Sequence, residues 1–406
     1  MGLRISHRVF SSLFLTLFLF FSASVAYSQA ATTLYVDGSK GDDRNLGNQH
    51  QPLKTLSRAL AKITDPLKNS VVIELAGGQY SSTGSREMPS NSLQLMRRMM
   101  PGVKVTILGR KDSSGEDPVL AWEGNPMIDA VEGDWCFEDL QIGTGQKSQR
   151  RGVMATGSAH VTLKNVVFRT RSLSDAAIYA HRGGKVSLRG AIRINDDLHE
   201  HADAETFAGI IADDHGLVQF VEREGASLDM GNGSLSATYY GVIRLGCETA
   251  RITCWTEQSN PLAINNSGRI DLHNTKTILQ AKNPRNTPIG LEDDGHILAE
   301  GAQIVIEGSN HNAIVLQKAS TFTCNAIELR GTFRNTISAM SGSMFVGGFV
   351  GNVSGIEATT GASVNIETID GKLLGPVTAT RCATVSLPDR NVTSHSQASS
   401  DDGKKR

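Results

Sequence analysis

Seven segments of the chain fall into one register: GVMATGSAHVTL, AIYAHRGGKVSL, GIIADDHGLVQF, PLAINNSGRIDL, AIVLQKASTFTC, GIEATTGASVNI and PVTATRCATVSL. Each begins a short apolar–polar alternation with an apolar residue second, crosses a polar turn and resumes alternating. The lead apolar residues are Val153, Ile178, Ile210, Val242, Leu262, Ile289, Ile314, Ile337, Ile356 and Val377. Eight positions later stand Val161, Val186, Val218, Ile270, Ile297, Phe322, Phe345, Val364 and Val385. The Val242 rung alone breaks step, reaching Ile252 two residues late. Successive leads lie 25, 32, 32, 20, 27, 25, 23, 19 and 21 residues apart, one coil of a solenoid each time. Alternation with period two, Gly and Asn at the turns and no helical periodicity predict strands. A single rung cannot bury its own apolar face, so the rungs stack. VVIEL at 71–75 and VKVTIL at 103–108 read as earlier coils.

One stretch departs from this pattern. In PLKTLSRALAKI, 52–63, Pro52 suits a first helical turn, and Leu53, Leu56, Leu60 and Ile63 share a face. It is expected to cap the exposed end of the solenoid, where unpaired strand edges invite aggregation. Residues 1–30 combine Arg4, His7 and Arg8 with the apolar run LFLTLFLFF and a small-residue end, SASVAYSQA. That order predicts a signal peptide cut after Ala30, because the run is short of the ~20 residues a membrane span needs. The product is therefore expected outside the cytoplasm, secreted, periplasmic or on the cell surface. The solenoid domain is placed at 31–388, and 389–406, with no apolar pattern, is expected to be a disordered tail.

Charge and cysteines exclude more than they assign. Of 40 basic residues Arg4 and Arg8 leave with the leader, so 38 face 41 acidic ones, and no Lys/Arg stripe marks a nucleic-acid surface. Five cysteines, at 136, 247, 254, 324 and 382, are too few and too scattered for a disulfide scaffold. Cys247–Cys254 is the one local bridge candidate, set against the reading that all are buried thiols packing as small apolar residues.

The combination YVDGSKGDD…QPLKTLSRAL, VVIELAGGQY and coils of the GIEATTGASVNI type resembles the right-handed parallel β-helix superfamily of pectin-lyase-like proteins. The resemblance covers roughly 32–388. It implies a single right-handed parallel β-helix, and it implies no one activity, since lyases, hydrolases, esterases, epimerases and non-catalytic spikes share that fold. The N-T-D, D-D, G-H-G, R-I-K series of polygalacturonases is absent.

Residues after each lead point outward. On the first strand that column reads Met154, Tyr179, Ile211, Ile243, Ala263, Gly290 and Val315 before it turns polar, and on the second it is mostly polar. An apolar stripe Met154/Tyr179/Ile211/Ile243 needs cover. Two covers fit: the chain's own surplus lengths at 195–208, 229–240 and 280–288, or further subunits, as in a homotrimeric spike.

Candidate chemistry centres on INDDLHEHADAETF, 194–207. Asp196, Asp197 and Asp203 offer oxygen ligands for Ca²⁺, while His199 and His201 offer nitrogen ligands or substrate contacts. Arg193 before the loop, Arg169 one rung below and Asp229 one rung above complement an acidic sugar. The resemblance to lyases implies Ca²⁺ neutralising a uronate while an Arg or Lys removes a proton. Tyr239 and Tyr240 are expected to flank the same groove as sugar-binding aromatics. The acidic turns ADDHG and LEDDGH, by contrast, fill the slot that HRGG, NNSG and TTGA fill elsewhere, and read as turns. The expected function is polysaccharide binding and cleavage of lyase or hydrolase type. The alternative is a non-catalytic surface or spike protein that assembles through the stripe.

Overall fold

The computed structural model describes residues 31–81, 92–111, 115–144, 151–169, 176–194, 208–222, 225–247, 250–256, 260–389 and 391–393. They build the expected parallel β-helix. Each coil contributes a strand to three walls, which we call lead, middle and trailing in chain order. The coil of Val153 gives Val153–Thr156 to the lead wall, and His160–Phe168 runs from the middle wall round into the trailing wall. Its neighbours stack in parallel register: Ile128, Val153, Ile178 and Ile210 along the lead wall, and Trp135, Val161, Val186 and Val218 along the middle wall. In-register stacking points every second side chain into one shared core, so Val153, Ile178, Ile210, Val161, Val186 and Val218 are all fully buried.

The register corrects one rung. Leu235, not Val242, sits between Ile210 and Leu262 on the lead wall. Ile243 is its partner on the middle wall, between Val218 and Ile270, and it is fully buried. The eight-residue inner spacing therefore holds for this coil too, from Leu235 to Ile243. In the sequence Val242 imitates a lead because ATYYGVIRL carries an apolar pair beside a turn whose aromatic residues hide it. Two consequences follow. The apolar stripe loses Ile243 to the core, its place on the outer lead wall being taken by Ser236, so the four-residue trimer surface does not exist as such. Residues 229–240 are ordinary coil, Ser227–Asn232 and Ser234–Ala237, rather than surplus loop.

The start of the solenoid is pinned by two aspartates. Asp37 Oδ1 accepts hydrogen bonds from Ser39 N at 2.9 Å, Ser39 Oγ at 2.7 Å and Lys40 N at 2.9 Å. Partial burial pushes its carboxyl upward, but these donors outweigh that and hold its pKa below the ordinary value. Asp43 accepts from Lys54 N, Thr55 N and Thr55 Oγ, each at 2.9 Å, and Thr55 in turn caps the helix by accepting from Arg58 N at 3.1 Å. Gly41 is required between them, since a Cβ there would lie 2.1 Å from the Leu53 carbonyl oxygen. The helix itself is Leu56–Ala61, shorter than 52–63, with Leu56, Ala59 and Leu60 buried. No helix among the described residues is long and apolar enough to cross a membrane.

At the far end, Asn391–Thr393 adds an antiparallel strand to Thr384–Ser386, so the segment expected to be a disordered tail begins with ordered chain. None of the five cysteines is in a disulfide, which removes the Cys247–Cys254 bridge. The Cys247 and Cys254 thiols donate instead to the carbonyl oxygens of Glu222 and Gly233, at 2.8 and 2.9 Å.

Candidate functional site

The three corners of the solenoid differ. From Arg182 onward the lead–middle corner is a two-residue turn with both residues in the left-handed region: Asp214 and His215 at φ 45° and 65°, Tyr239 and Tyr240 at 44° and 64°, Asn266 and Ser267 at 50° and 61°, Asp293 and Asp294 at 52° and 62°. Adjacent turns are tied by main-chain bonds, with His215 N donating to Tyr239 O at 3.3 Å, Tyr240 N to Asn266 O at 3.2 Å and Ser267 N to Asp293 O at 2.8 Å. The acidic turns ADDHG and LEDDGH are thus turns, as expected. The middle–trailing corner is tighter and turns at one left-handed residue, Asp139 or Asn165. The trailing–lead corner carries the long connections.

These corners separate the residues the sequence grouped together. Arg193 and Asp229 are lateral neighbours on the outer trailing wall and both are exposed. Arg169 follows the trailing strand at the next corner. Tyr239 and Tyr240 occupy the lead–middle corner, which is the corner opposite the trailing wall, with 56% and 60% of their surface exposed. They do not share a groove with Arg193 and Asp229. Asp196, Asp197, His199, His201 and Asp203 lie outside the described residues. Among the described residues, no group of three His, Cys, Asp or Glu side chains converges to hold a metal ion.

What the two tyrosines do adjoin is a cluster the sequence reading did not assemble. Ala180 pairs with Ala212, so the outward residues that follow, His181 and Asp213, lie side by side on the lead wall. Tyr179, two residues before His181 and therefore on the same face, donates its hydroxyl to Asp213 Oδ2 at 2.8 Å. His181 Nδ1 lies 3.4 Å from the same oxygen and 3.4 Å from the Tyr179 hydroxyl, and the two rings stack with centroids 5.4 Å apart. The Arg151 guanidinium sits 4.8 Å from the centre of the Tyr179 ring, a cation–π contact. Side chains of His181 and Asp213 are 24% and 19% exposed, sheltered yet reachable. One turn further, His215 stacks on Tyr240 with centroids 5.3 Å apart and meets Asp214 at 3.3 Å. Three successive rungs thus carry Tyr179 and His181, then Asp213 and His215, then Tyr239 and Tyr240. The cue was available in the sequence as parity. Counting two residues on from Tyr179 and from Ile211 gives His181 and Asp213, on one face and one rung apart.

Asp129, lower on the lead wall beside Met154, buries Oδ1 with no hydrogen-bond partner. Burial raises its pKa above the ordinary carboxylate value.

No family model matches the sequence, and no curated protein matches it. Among solved structures the chain is similar to the GH136 lacto-N-biosidase from Eubacterium ramulus, native protein. The identity is 12% over 88% of this chain and 68% of that one, with a TM-score of 0.37. It is also similar to a rhamnogalacturonan lyase, at 13% identity over 86% of this chain and 84% of that one, with a TM-score of 0.21. At these identities and scores neither likeness bears on chemistry.

Proposed function

We propose that this protein binds and cleaves uronate-containing polysaccharide outside the cytoplasm, by β-elimination, with the Tyr179–His181–Asp213 triangle as its proton-transfer centre. The observation that carries the reading is the triangle itself: a phenol and an imidazole converging on one carboxylate oxygen. A retaining or inverting glycosidase needs two carboxylates flanking the bond. Within the triangle the one carboxylate, Asp213, orients two proton-transfer groups, His181 as the base and the Tyr179 hydroxyl as the acid that protonates the leaving oxygen. Elimination needs that set instead. A base removes the hydrogen α to the sugar carboxylate, the C–H electrons form the ring double bond, and the glycosidic C–O bond breaks with its electrons on the leaving oxygen, which takes up a proton. Asp213 holds Tyr179 and His181 in place for the two transfers. Arg151 supplies positive charge for the sugar carboxylate, whose negative charge grows as the hydrogen leaves. His215, Tyr239 and Tyr240 offer ring faces to the neighbouring sugars.

In this reading Arg193 and Asp229 contact glycan rather than reacting atoms, and no step uses Ca²⁺. The test is the mature chain on a panel of uronate and neutral polysaccharides, following unsaturated-product absorbance and new reducing ends together. Unsaturated product is expected, with a loss on the order of a hundredfold or more in Tyr179→Phe and His181→Ala. Reducing ends without unsaturation would sink the elimination mechanism. No product from any polymer would leave a binding protein.

A further inference from the structure

We infer that the outer trailing wall holds a second glycan-binding groove, separate from the triangle, and that it anchors the polymer without cleaving it. This rests on reading the protein as glycan-active. Arg110 and Lys111 follow the middle-wall strand Val105–Gly109, and Asp117 precedes the trailing-wall strand Pro118–Leu120. These three side chains stand at one end of a depression of about 440 Å³, whose lining also includes Asp139, Gln141 and Asn165. The corner beside it is fixed. Asn165 Nδ2 donates to Asp139 Oδ1 at 2.9 Å, and Asn165 Oδ1 accepts from Ala191 N at 3.1 Å. The next corner residue must be Gly190, because a Cβ there would lie 2.1 Å from Asn165 Oδ1.

Beyond the depression the floor continues along the axis. Val119, Gln141, Val167, Arg193 and Asp229 succeed one another in lateral register. Four rung intervals of about 4.8 Å give a track of roughly 19 Å, an oligomer's length rather than a monomer's. Charge decides the class of ligand. Lys111 pairs with Asp117 at 3.2 Å and Arg110 with Glu74 at 3.4 Å, while Arg193 lies beside Asp229, so no net positive field favours a nucleic acid. The floor offers Val119 and Val167 but no large apolar anchor for a peptide. Planar amide, carboxylate and guanidinium groups that alternate donors with acceptors match the paired hydroxyls of a sugar chain.

The test is retention on immobilised polygalacturonate, alginate, xylan and cellulose, in a Tyr179→Phe background so that the polymer survives. Retention on at least one polymer is expected, weakened at least fivefold by Lys111→Ala with Gln141→Ala. Val167→Trp, which adds a stacking surface to the floor, is expected to strengthen it by roughly threefold. The melting temperature of each variant reports that the fold is intact. Unchanged retention in both variants, or no retention of the parent on any polymer, overturns the groove. Failure of the elimination reading shows elsewhere, as no unsaturated product from the parent chain on any polymer, and retention is then read on the parent chain directly.

Discussion

The turn at Tyr239 and Tyr240 allows structure and function to be separated by one substitution pair. Both residues stand in the left-handed region, at φ 44° and 64°, in a slot that later coils fill with Asn266–Ser267, Ser341–Gly342 and Thr360–Gly361. A bulky residue there is disfavoured by about 1–2 kcal/mol, a penalty that glycine escapes and asparagine largely escapes. Replacing Tyr239→Asn and Tyr240→Gly keeps the main-chain ladder, since His215 N to Tyr239 O and Tyr240 N to Asn266 O need no side chain. The change relieves about 2–3 kcal/mol of backbone strain over the two positions. It forfeits the His215–Tyr240 stack, worth about 0.5–1.5 kcal/mol, and lets the unfolded chain gain about 0.5–1 kcal/mol from the new glycine. The balance is a gain of about 1 kcal/mol. Under the proposed function, tyrosines kept at a stability loss, with more than half their surface exposed, serve the glycan rather than the fold. Urea unfolding should show the double variant at least as stable as the parent, while binding of oligosaccharides to the Tyr179→Phe background falls tenfold or more. Tyr239→Phe with Tyr240→Phe keeps rings and strain and should retain most binding. A double variant that is destabilised by more than 1 kcal/mol, or that binds as before, would refute the reasoning.

Four further outcomes are expected. Asp43→Ala removes three hydrogen bonds at the helix start and should cost about 2 kcal/mol in urea unfolding; a loss below about 0.5 kcal/mol would show that the loop holds itself. Asp129→Asn should raise stability at neutral pH. Its folded pKa lies above the unfolded value of about 3.9, so the burden of the buried charge is complete above the folded pKa and is relieved as pH falls through it. The gain from Asn, read from melts across pH 3–8, should therefore shrink toward acid, and a gain independent of pH would count against burial of the charge. Thiol labelling of the native protein should reach exposed Cys382 at once. Cys136, Cys254 and Cys324 should react only on unfolding, because burial raises all three thiols and pushes Cys324 up to about 12. Cleavage should persist in excess EDTA; a loss restored by Ca²⁺ would move the centre to Asp196, Asp197 and Asp203.

The core was legible in the sequence because stacking makes every coil answer to the same constraint. Val153, Ile178 and Ile210 must each be apolar, and their partners must follow at eight residues because the corner between them has one length. The one misread coil failed where that corner carries Tyr239 and Tyr240 in place of Asn, Asp or Gly. The departure that confused the register is the same departure that marks the surface. The site was less legible because its members are set by lateral register, not by spacing. Tyr179 and His181 are separated from Asp213 by the whole 32-residue coil and meet only through the Ala180–Ala212 pairing. A dense run of ionisable residues such as 194–207 draws attention by proximity in sequence, which in a solenoid says little about proximity in space.

A parallel β-helix leaves few places where chemistry can be built. Inward positions belong to the core, and outward positions on the walls repeat every rung with main-chain groups already paired to both neighbours. A site must therefore come from unlike side chains brought level on adjacent rungs, or from a corner that departs from its own rule. The lead wall at Tyr179, His181 and Asp213 does the first, and the Tyr239–Tyr240 turn beside it does the second. The trailing wall repeats the logic, with Arg193 level with Asp229 and with Arg110, Lys111 and Asp117 gathered at one edge. Each wall couples a mixed-charge row to an irregular corner at one edge, and both rows run parallel to the solenoid axis. A polymer lying along that axis meets successive rungs of either row. A small free ligand would meet only one, which is why chain-length dependence of binding is the property that should distinguish a polysaccharide protein of this shape from one that handles monomers.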